Sequence, residues 1–175
     1  IGMFAIQVAK QMGATVLTTV KNEEKSDFCY SLGADEVVQY SKQDFYKIFK
    51  SNKEGQDIDL ILDMIGGDYF EKNIDLLNQE GRLVNIAFLK GNSVKLDLSK
   101  LMMKRINLTG STLRPRTTEF KSKIAEELRE TVWPLLETQK IRVHVDSIFP
   151  LEKFKDAHIR MENGNHLGKI ILSLD

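Results

Sequence analysis

The sequence predicts an α/β chain with a doubly wound parallel sheet, and three observations carry that expectation. Strand-like runs alternate with helical patterns along the whole length, the order that βαβ units impose. The run 58–67, IDLILDMIGG, is almost unbroken apolar sequence between acidic punctuation and a Gly-Gly turn. That is how a strand buried on both faces of a parallel sheet reads. Right-handed crossovers then put the helices on both faces.

The elements follow in order. Phe4, Ile6, Val8, Ala9 and Met12 set a helical period, and Gly13 ends it as a C-terminal glycine does. No capping residue precedes Ile1, so the chain is expected to start inside a helix of a longer parent. Residues 15–20, TVLTTV, are rich in β-branched side chains and read as a strand. Asn22 caps a helix to about Leu32, with Glu23 and Glu24 in its first turn and Gly33 closing it. A short strand is expected over 36–40 and an amphipathic helix over 44–50. A charged turn at 52–57 leads into the buried strand at 60–64. A helix over 68–77, a turn at Glu80-Gly81, a strand over 82–88, a Leu/Met-rich core segment at 96–103 and a strand over 106–110 come next. The pattern of Phe120, Ile124, Leu128 and Val132 predicts a helix over 117–137 that Pro134 kinks or restarts. Trp133 reads as a core anchor. The tail predicts a strand at 143–149, a helix at 151–162 and a strand at 169–174.

Bulk properties narrow the function. The 175 residues suffice for one domain or slightly more. Twenty-five basic side chains balance twenty-five acidic ones, so no net field favours nucleic acid or an anionic membrane. No apolar run approaches the roughly 18 residues of a membrane span. Cys29 is the only cysteine, which excludes an internal disulfide and fits a reducing, cytoplasmic setting. It reads as a packed thiol. His144, His158 and His166 lack ligand-like spacing, so no metal site is expected within the chain.

A dinucleotide site requires a strand, a glycine turn and a helix whose amino end faces phosphate. The chain opens on such a helix at Gly2. NAD enzymes usually carry an acid at the end of the second strand for the ribose hydroxyls. Val20 holds that position here, with Lys21 and Lys25 close by. A missing acid beside cations favours a 2′-phosphate and hence NADPH. Tyr40, at the end of the third strand, is suited to cover adenine or reach that phosphate. The glycine pair after 60–64 lets a ligand lie against backbone at a strand's carboxyl end.

The ordered set TTVKNEEK, LGAD, LILDMIGGDYFEKN, EGRLVNIA, STLRPR and HLGKIIL resembles the zinc-independent NADPH:quinone oxidoreductases of the medium-chain dehydrogenase/reductase superfamily. The resemblance covers essentially the whole chain. It implies a Rossmann-like sheet lacking its first strand and glycine-rich turn. It also implies a boundary, within 114–140, between a partial NADPH-binding domain (1–140) and a returning segment (141–175) of a GroES-like catalytic domain. Gly2 matches the last glycine of the phosphate turn. Asn22 and Lys25 resemble 2′-phosphate contacts, with Lys21 standing where the family commonly has glycine, and Tyr40 matches a tyrosine near the adenosine phosphate. Ile65 and Gly66 match the loop beside the adenine ribose, Ala87 and Phe88 the stretch near the nicotinamide ribose, and Thr112 and Leu113 the stretch whose backbone holds the nicotinamide amide. His166 falls where an asparagine is frequent.

The implied activity of the parent is hydride transfer from NADPH to a quinone or enone. No acid, base or nucleophile set stands in these residues, and the chain alone is expected to be inactive. An enoyl thioester reductase, a zinc alcohol dehydrogenase and a non-catalytic dimerisation module remain as alternatives. A homodimer through the sheet edge at 105–113 is expected.

Overall fold

The computed structural model describes residues 1–51 and 58–174; the turn expected at 52–57 lies outside the described residues. The chain forms two compact units, Ile1–Lys42 with Lys123–Asp175, and Gln43–Ser122.

In the first unit, α1 (Gly2–Gln11) is followed by Gly13 at φ +80, the left-handed conformation that its C-terminal signal predicts. β1 (Leu17–Val20) and β2 (Glu36–Gln39) pair in parallel, Leu17 opposite Glu36 and Val20 opposite Gln39. α2 (Glu23–Ser31) crosses between them, and Asn22 Oδ1 accepts the Lys25 N–H at 3.0 Å. Ile6, Val20, Cys29 and Ala34 form the buried cluster. Burial pushes the Cys29 thiol up, against a weaker opposing effect of Lys25, in keeping with a packed thiol.

The C-terminal part of the same unit contains β6 (Val145–Pro150), a 3₁₀ turn (Leu151–Lys153), α8 (Phe154–Glu162) and β7 (Lys169–Ser173). β6 and β7 are parallel. The Arg160 guanidinium donates to both Asp146 oxygens at 2.7 and 3.0 Å, and the Leu167 N–H donates to the same carboxylate at 2.8 Å. Gln7 of α1 donates to the Arg142 carbonyl at 3.0 Å and accepts the Arg142 N–H at 2.7 Å.

In the second unit, β3 (Ile58–Asp63), β4 (Leu77–Asn85) and β5 (Asn107–Gly110) make a three-stranded parallel sheet in that order. α3 (Phe45–Ser51) precedes it, and α4 (Tyr69–Leu76) and α5 (Leu98–Lys104) are the connections. Phe70, Ile74, Leu77, Leu83 and Ile106 are its core. The predicted turn at Glu80-Gly81 is an excursion inside β4. Ile58 faces Leu77 but Leu60 already faces Arg82, and Glu80 takes φ +63. Leu77, 2% exposed, is recruited into the strand because its side chain fills the core.

One expectation changes here. β3 is not buried on both faces: Leu60 is 56% and Leu62 41% exposed, while Ile61 and Asp63 turn inward. As expected of a sheet without its first strand, β1 bonds only β2 and β3 bonds only β4 among the described residues. The doubly wound order 3-2-1-4-5-6 is therefore present as its runs 3-2 and 4-5-6, with no described strand for position 1. Among the described residues one edge of β3 is unpaired, in agreement with a sheet that lacks its first strand.

The helix expected over 117–137 is α6 (Thr118–Thr131) and α7 (Trp133–Glu137). Pro134 sits in the first turn of α7, where its missing N–H costs nothing. Trp133 is 58% exposed, not a core anchor. Helical spacing reveals an apolar face, but not whether anything covers it. Among the described residues no helix is long and apolar enough to cross a membrane.

Candidate functional site

The candidate residues divide between the units, and each group occupies one kind of place. Asn22 lies two residues beyond β1, and Lys25 lies in the first turn of α2. Tyr40 follows β2 directly. Ile65 and Gly66 follow β3, Ala87 and Phe88 follow β4, and Thr112 and Leu113 follow β5. Within each unit the candidates follow the carboxyl ends of parallel strands: Asn22, Lys25 and Tyr40 after β1 and β2 in the first, and Ile65, Gly66, Ala87, Phe88, Thr112 and Leu113 after β3, β4 and β5 in the second. Open α/β sheets bind ligands at that edge. The remaining candidate, Gly2, is the first residue of α1, and a Cβ there would meet nothing within 4 Å.

In the first unit, the Asn22 side chain is engaged as a helix cap, so its remaining capacity lies on the amide NH₂. Lys25 donates its ammonium to the Gly164 carbonyl at 2.5 Å, which ties the α2 amino end to the segment before β7. Tyr40 N–H donates to the Val20 carbonyl at 3.0 Å and the Ser41 hydroxyl to the Lys21 carbonyl at 2.6 Å. These bonds hold the ends of β1 and β2 side by side. The Tyr40 ring is 43% exposed, and Lys21 is exposed. His166 Nδ1 is buried without a hydrogen-bond partner among the described residues.

In the second unit, the turn after β3 is organised by a residue that sequence reading treated as punctuation. Asp63 is 3% exposed. Its Oδ1 accepts the N–H groups of Ile65 at 2.7 Å and Gly66 at 3.1 Å. Its Oδ2 accepts from the amides of Asn73 at 3.3 Å and Asn85 at 3.4 Å. One carboxylate so fixes β3, its turn, α4 and β4. An acid ending an apolar strand just before a glycine pair was the available signal. The turn is zipped to the segment after β4: Leu89 N–H donates to Met64 at 3.1 Å, Lys90 N–H to Ile65 at 2.8 Å and Gly67 N–H to Gly91 at 3.1 Å. Gly66 needs to be glycine, since it has φ +66 and a Cβ would come within 2.5 Å of the Gly91 carbonyl. Phe88 is 55% and Leu113 56% exposed. The Ser111 N–H donates to the Asn85 carbonyl at 3.0 Å, so the ends of β4 and β5 lie together.

Elsewhere in this unit the ionisable groups close on one another. Tyr46, Lys50 and Lys100 converge on Asp75, whose carboxyl is held well below the usual range, chiefly by the Tyr46 hydroxyl. Lys104 donates to three carbonyls at the end of α4, including those of Asp75 and Leu77 at 2.8 Å. These interactions fasten helices together. Among the described residues no three His, Cys, Asp or Glu side chains stand together as a metal ligand set.

Comparison with known proteins agrees with this architecture. Residues 32–172 match the family model described as zinc-binding dehydrogenase. The chain is 26% identical to a 2-haloacrylate reductase from Burkholderia sp, over 98% of this chain and 51% of that protein. It is 27% identical to quinone oxidoreductase-like protein 2 of Mus musculus, over 99% of this chain and 49% of that one. Among solved structures, a quinone oxidoreductase from Thermus thermophilus, also solved with NADPH, superposes with TM-score 0.82 and 28% identity, covering 99% of this chain and 54% of that one. An Escherichia coli quinone oxidoreductase complexed with NADPH gives TM-score 0.80 and 26% identity, covering 98% and 53%. The chain spans about half the length of these relatives.

Proposed function

The chain belongs to the zinc-binding dehydrogenase family, and from that premise we propose that it is the nucleotide-binding portion of an NADPH-dependent oxidoreductase that reduces a quinone or enone. What supports this reading is that, in each unit taken by itself, the candidate residues follow the carboxyl ends of parallel strands. The donor chemistry fits a phosphorylated dinucleotide. No carboxylate ends β1, Lys21 and Lys25 flank Asn22, and the Gly66-Gly67 backbone has no side chain to hold a ribose away. NADPH, when bound, supplies the hydride. The chain's own part is binding and orientation. Asn22, Lys25 and Tyr40 receive the adenosine phosphate end. The turn at Ile65-Gly66 supports the adenine ribose. Ala87, Phe88, Thr112 and Leu113 orient the nicotinamide end.

The family description names zinc, but the described residues do not fit it. Cys29 is buried, and the rings of His144 and His158 pack on Phe28 and Phe154. The segment 141–175 is read as returning to a catalytic domain, with residues 1–140 as the nucleotide-binding part. The chain by itself is then inactive, because one wall of the substrate cleft comes from elsewhere. β5 bonds only β4 among the described residues and is followed by no covering strand there, which favours homodimerisation through that edge. Light scattering reads this directly.

Fluorescence titration tests the cofactor reading. NADPH should quench or enhance saturably and bind more tightly than NADH, and Lys25→Glu should remove that preference. Equal affinity for the two cofactors, unchanged by Lys25→Glu, would remove the 2′-phosphate assignment. No binding of either would remove the nucleotide reading.

A further inference from the structure

The face of α6 and α7 around Trp133 is open, apolar at its centre and charged at both ends. Ala125, Leu128, Arg129, Trp133, Pro134 and Glu137 line one open depression of about 610 Å³. All six belong to the Lys123–Asp175 part of the first unit. Leu128 and Trp133 are both exposed, so two large apolar side chains meet solvent in the same depression. The backbone carries one helical path across the junction of the two helices. Val132 N–H donates to the Leu128 carbonyl at 2.9 Å, and Leu136 N–H donates to the Val132 carbonyl at 3.1 Å. The Arg129 guanidinium and the Glu137 carboxylate have no ion-pair or hydrogen-bond partner among the described residues. At 1.5 Å of rise per residue they are about 12 Å apart along that path, too far to pair with each other.

The arrangement is self-complementary. Trp133 stands midway between the two charges, four residues from each. Side chains four apart share a helix face, and these three share the depression. A two-fold axis at Trp133 lays a second copy antiparallel on this face, so residues equally far from Trp133 on opposite sides meet. Arg129 of each copy then faces the partner's Glu137, and the two indoles meet on the axis. Such an isologous contact requires the same patch to match itself. An unrelated peptide in the groove would require no opposite charges placed symmetrically about one aromatic. Glu126, Glu127 and Glu130, the other acids of this stretch of α6, lie outside the lining and do not disturb the match.

We propose that the Trp133 face of α6 and α7 is a weak, isologous contact between two copies of this chain. Six lining residues are fewer than the roughly 20–30 a side of a stable interface, so the association is reversible and depends on concentration. It uses none of the residues assigned to the cofactor or to the β5 edge, and it stands or falls independently of the proposed function.

Trp133 is the only tryptophan, so its emission reports on this face. The test follows sedimentation velocity and tryptophan emission together on the full chain as its concentration rises. The expected result is a gain in mass accompanied by a blue shift. Arg129→Glu and Glu137→Arg, each alone, should weaken that association about tenfold, because the two-fold axis counts every substitution twice and sets like charges opposite each other. An equimolar mixture of the two variants should restore it, since each then offers the charge that the other lacks. Recovery on mixing also shows that both variants are folded. A gain in mass with unshifted emission gives the association to another surface, such as the β5 edge, and overturns the proposal. So does a chain that stays at constant mass, a pair of single substitutions without effect, or a mixture that associates no more tightly than either variant alone.

Discussion

Replacing Asp63 tests the core of the site. In Asp63→Asn one oxygen can still accept the N–H groups of Ile65 and Gly66, now at 2.7 and 3.1 Å. The other becomes an NH₂ facing the amide donors of Asn73 and Asn85 at 3.3 and 3.4 Å. Flipping the new amide only moves the conflict to the backbone donors. A hydrogen bond to a charged group is worth about 1.5–3 kcal/mol, and a buried donor left unpaired costs about 1–3 kcal/mol. The two hydrogen bonds removed are long, so the lower ends of those ranges apply. Asp63→Asn should therefore cost about 2–3 kcal/mol, and Asp63→Ala, which abandons all four donors, about 3–5 kcal/mol. The control is Asp59→Asn. Asp59 is exposed and accepts from Asn78 at 2.8 Å, so its replacement should cost under about 0.5 kcal/mol. Urea unfolding with linear extrapolation reads all three, and unchanged m-values would show that native stability is what moved. Asp63→Asn and Asp59→Asn falling together within about 0.5 kcal/mol would refute the claim that one buried carboxylate holds the turn.

Three further outcomes follow from the same geometry. Gly66→Ala should cost about 1–3 kcal/mol, because φ is +66 and the new methyl meets the Gly91 carbonyl at 2.5 Å; an equal substitution at Gly2, where φ is ordinary and nothing lies within 4 Å, should cost less, and both are read by thermal melts. Leu83→Ala should cost about 2–5 kcal/mol, since Leu83 is 0% exposed in the core of the three-stranded sheet, and a loss under about 1 kcal/mol would mean that this core is loosely packed. The Arg160 guanidinium beside Asp146 holds its carboxyl well below the usual range. A carboxylate depressed in the folded state contributes stability above its unfolded pKa of about 4, and loses it as pH falls below that value. Stability measured in urea from about pH 6 to about pH 2.5 should decline less steeply in Arg160→Met than in the unmodified chain, and parallel curves would contradict the assignment.

Much of the fold was legible because its signals are local. Asn22 caps α2, Gly13 and Gly33 turn left-handed after their helices, and Pro134 restarts a helix. Each is decided by a few neighbouring residues, so each survives without knowledge of the rest. Periodicity locates the strand ends within two or three residues, while the choice of candidate residues beside them comes largely from the family resemblance. Asp63 was missed because its importance comes from Asn73 and Asn85, brought beside it by α4 and β4. The local pattern, an acid ending an apolar strand before a glycine pair, marks the position but not the partners that Asp63 binds. Trp133, Leu60 and Leu62 were misjudged for the converse reason. An apolar side chain signals that burial is favourable, but coverage requires another element to arrive.

By itself the sequence determined the parallel α/β order and the caps and breaks of its helices, consequences of backbone preference and side-chain period, together with the neutral charge balance. Tertiary structure alone decided that Leu60, Leu62 and Trp133 stay exposed and that Asp63 rather than its glycines anchors the central turn. Those facts depend on which partners long-range packing brings within about 3 Å of a given atom, and a linear pattern holds no record of that.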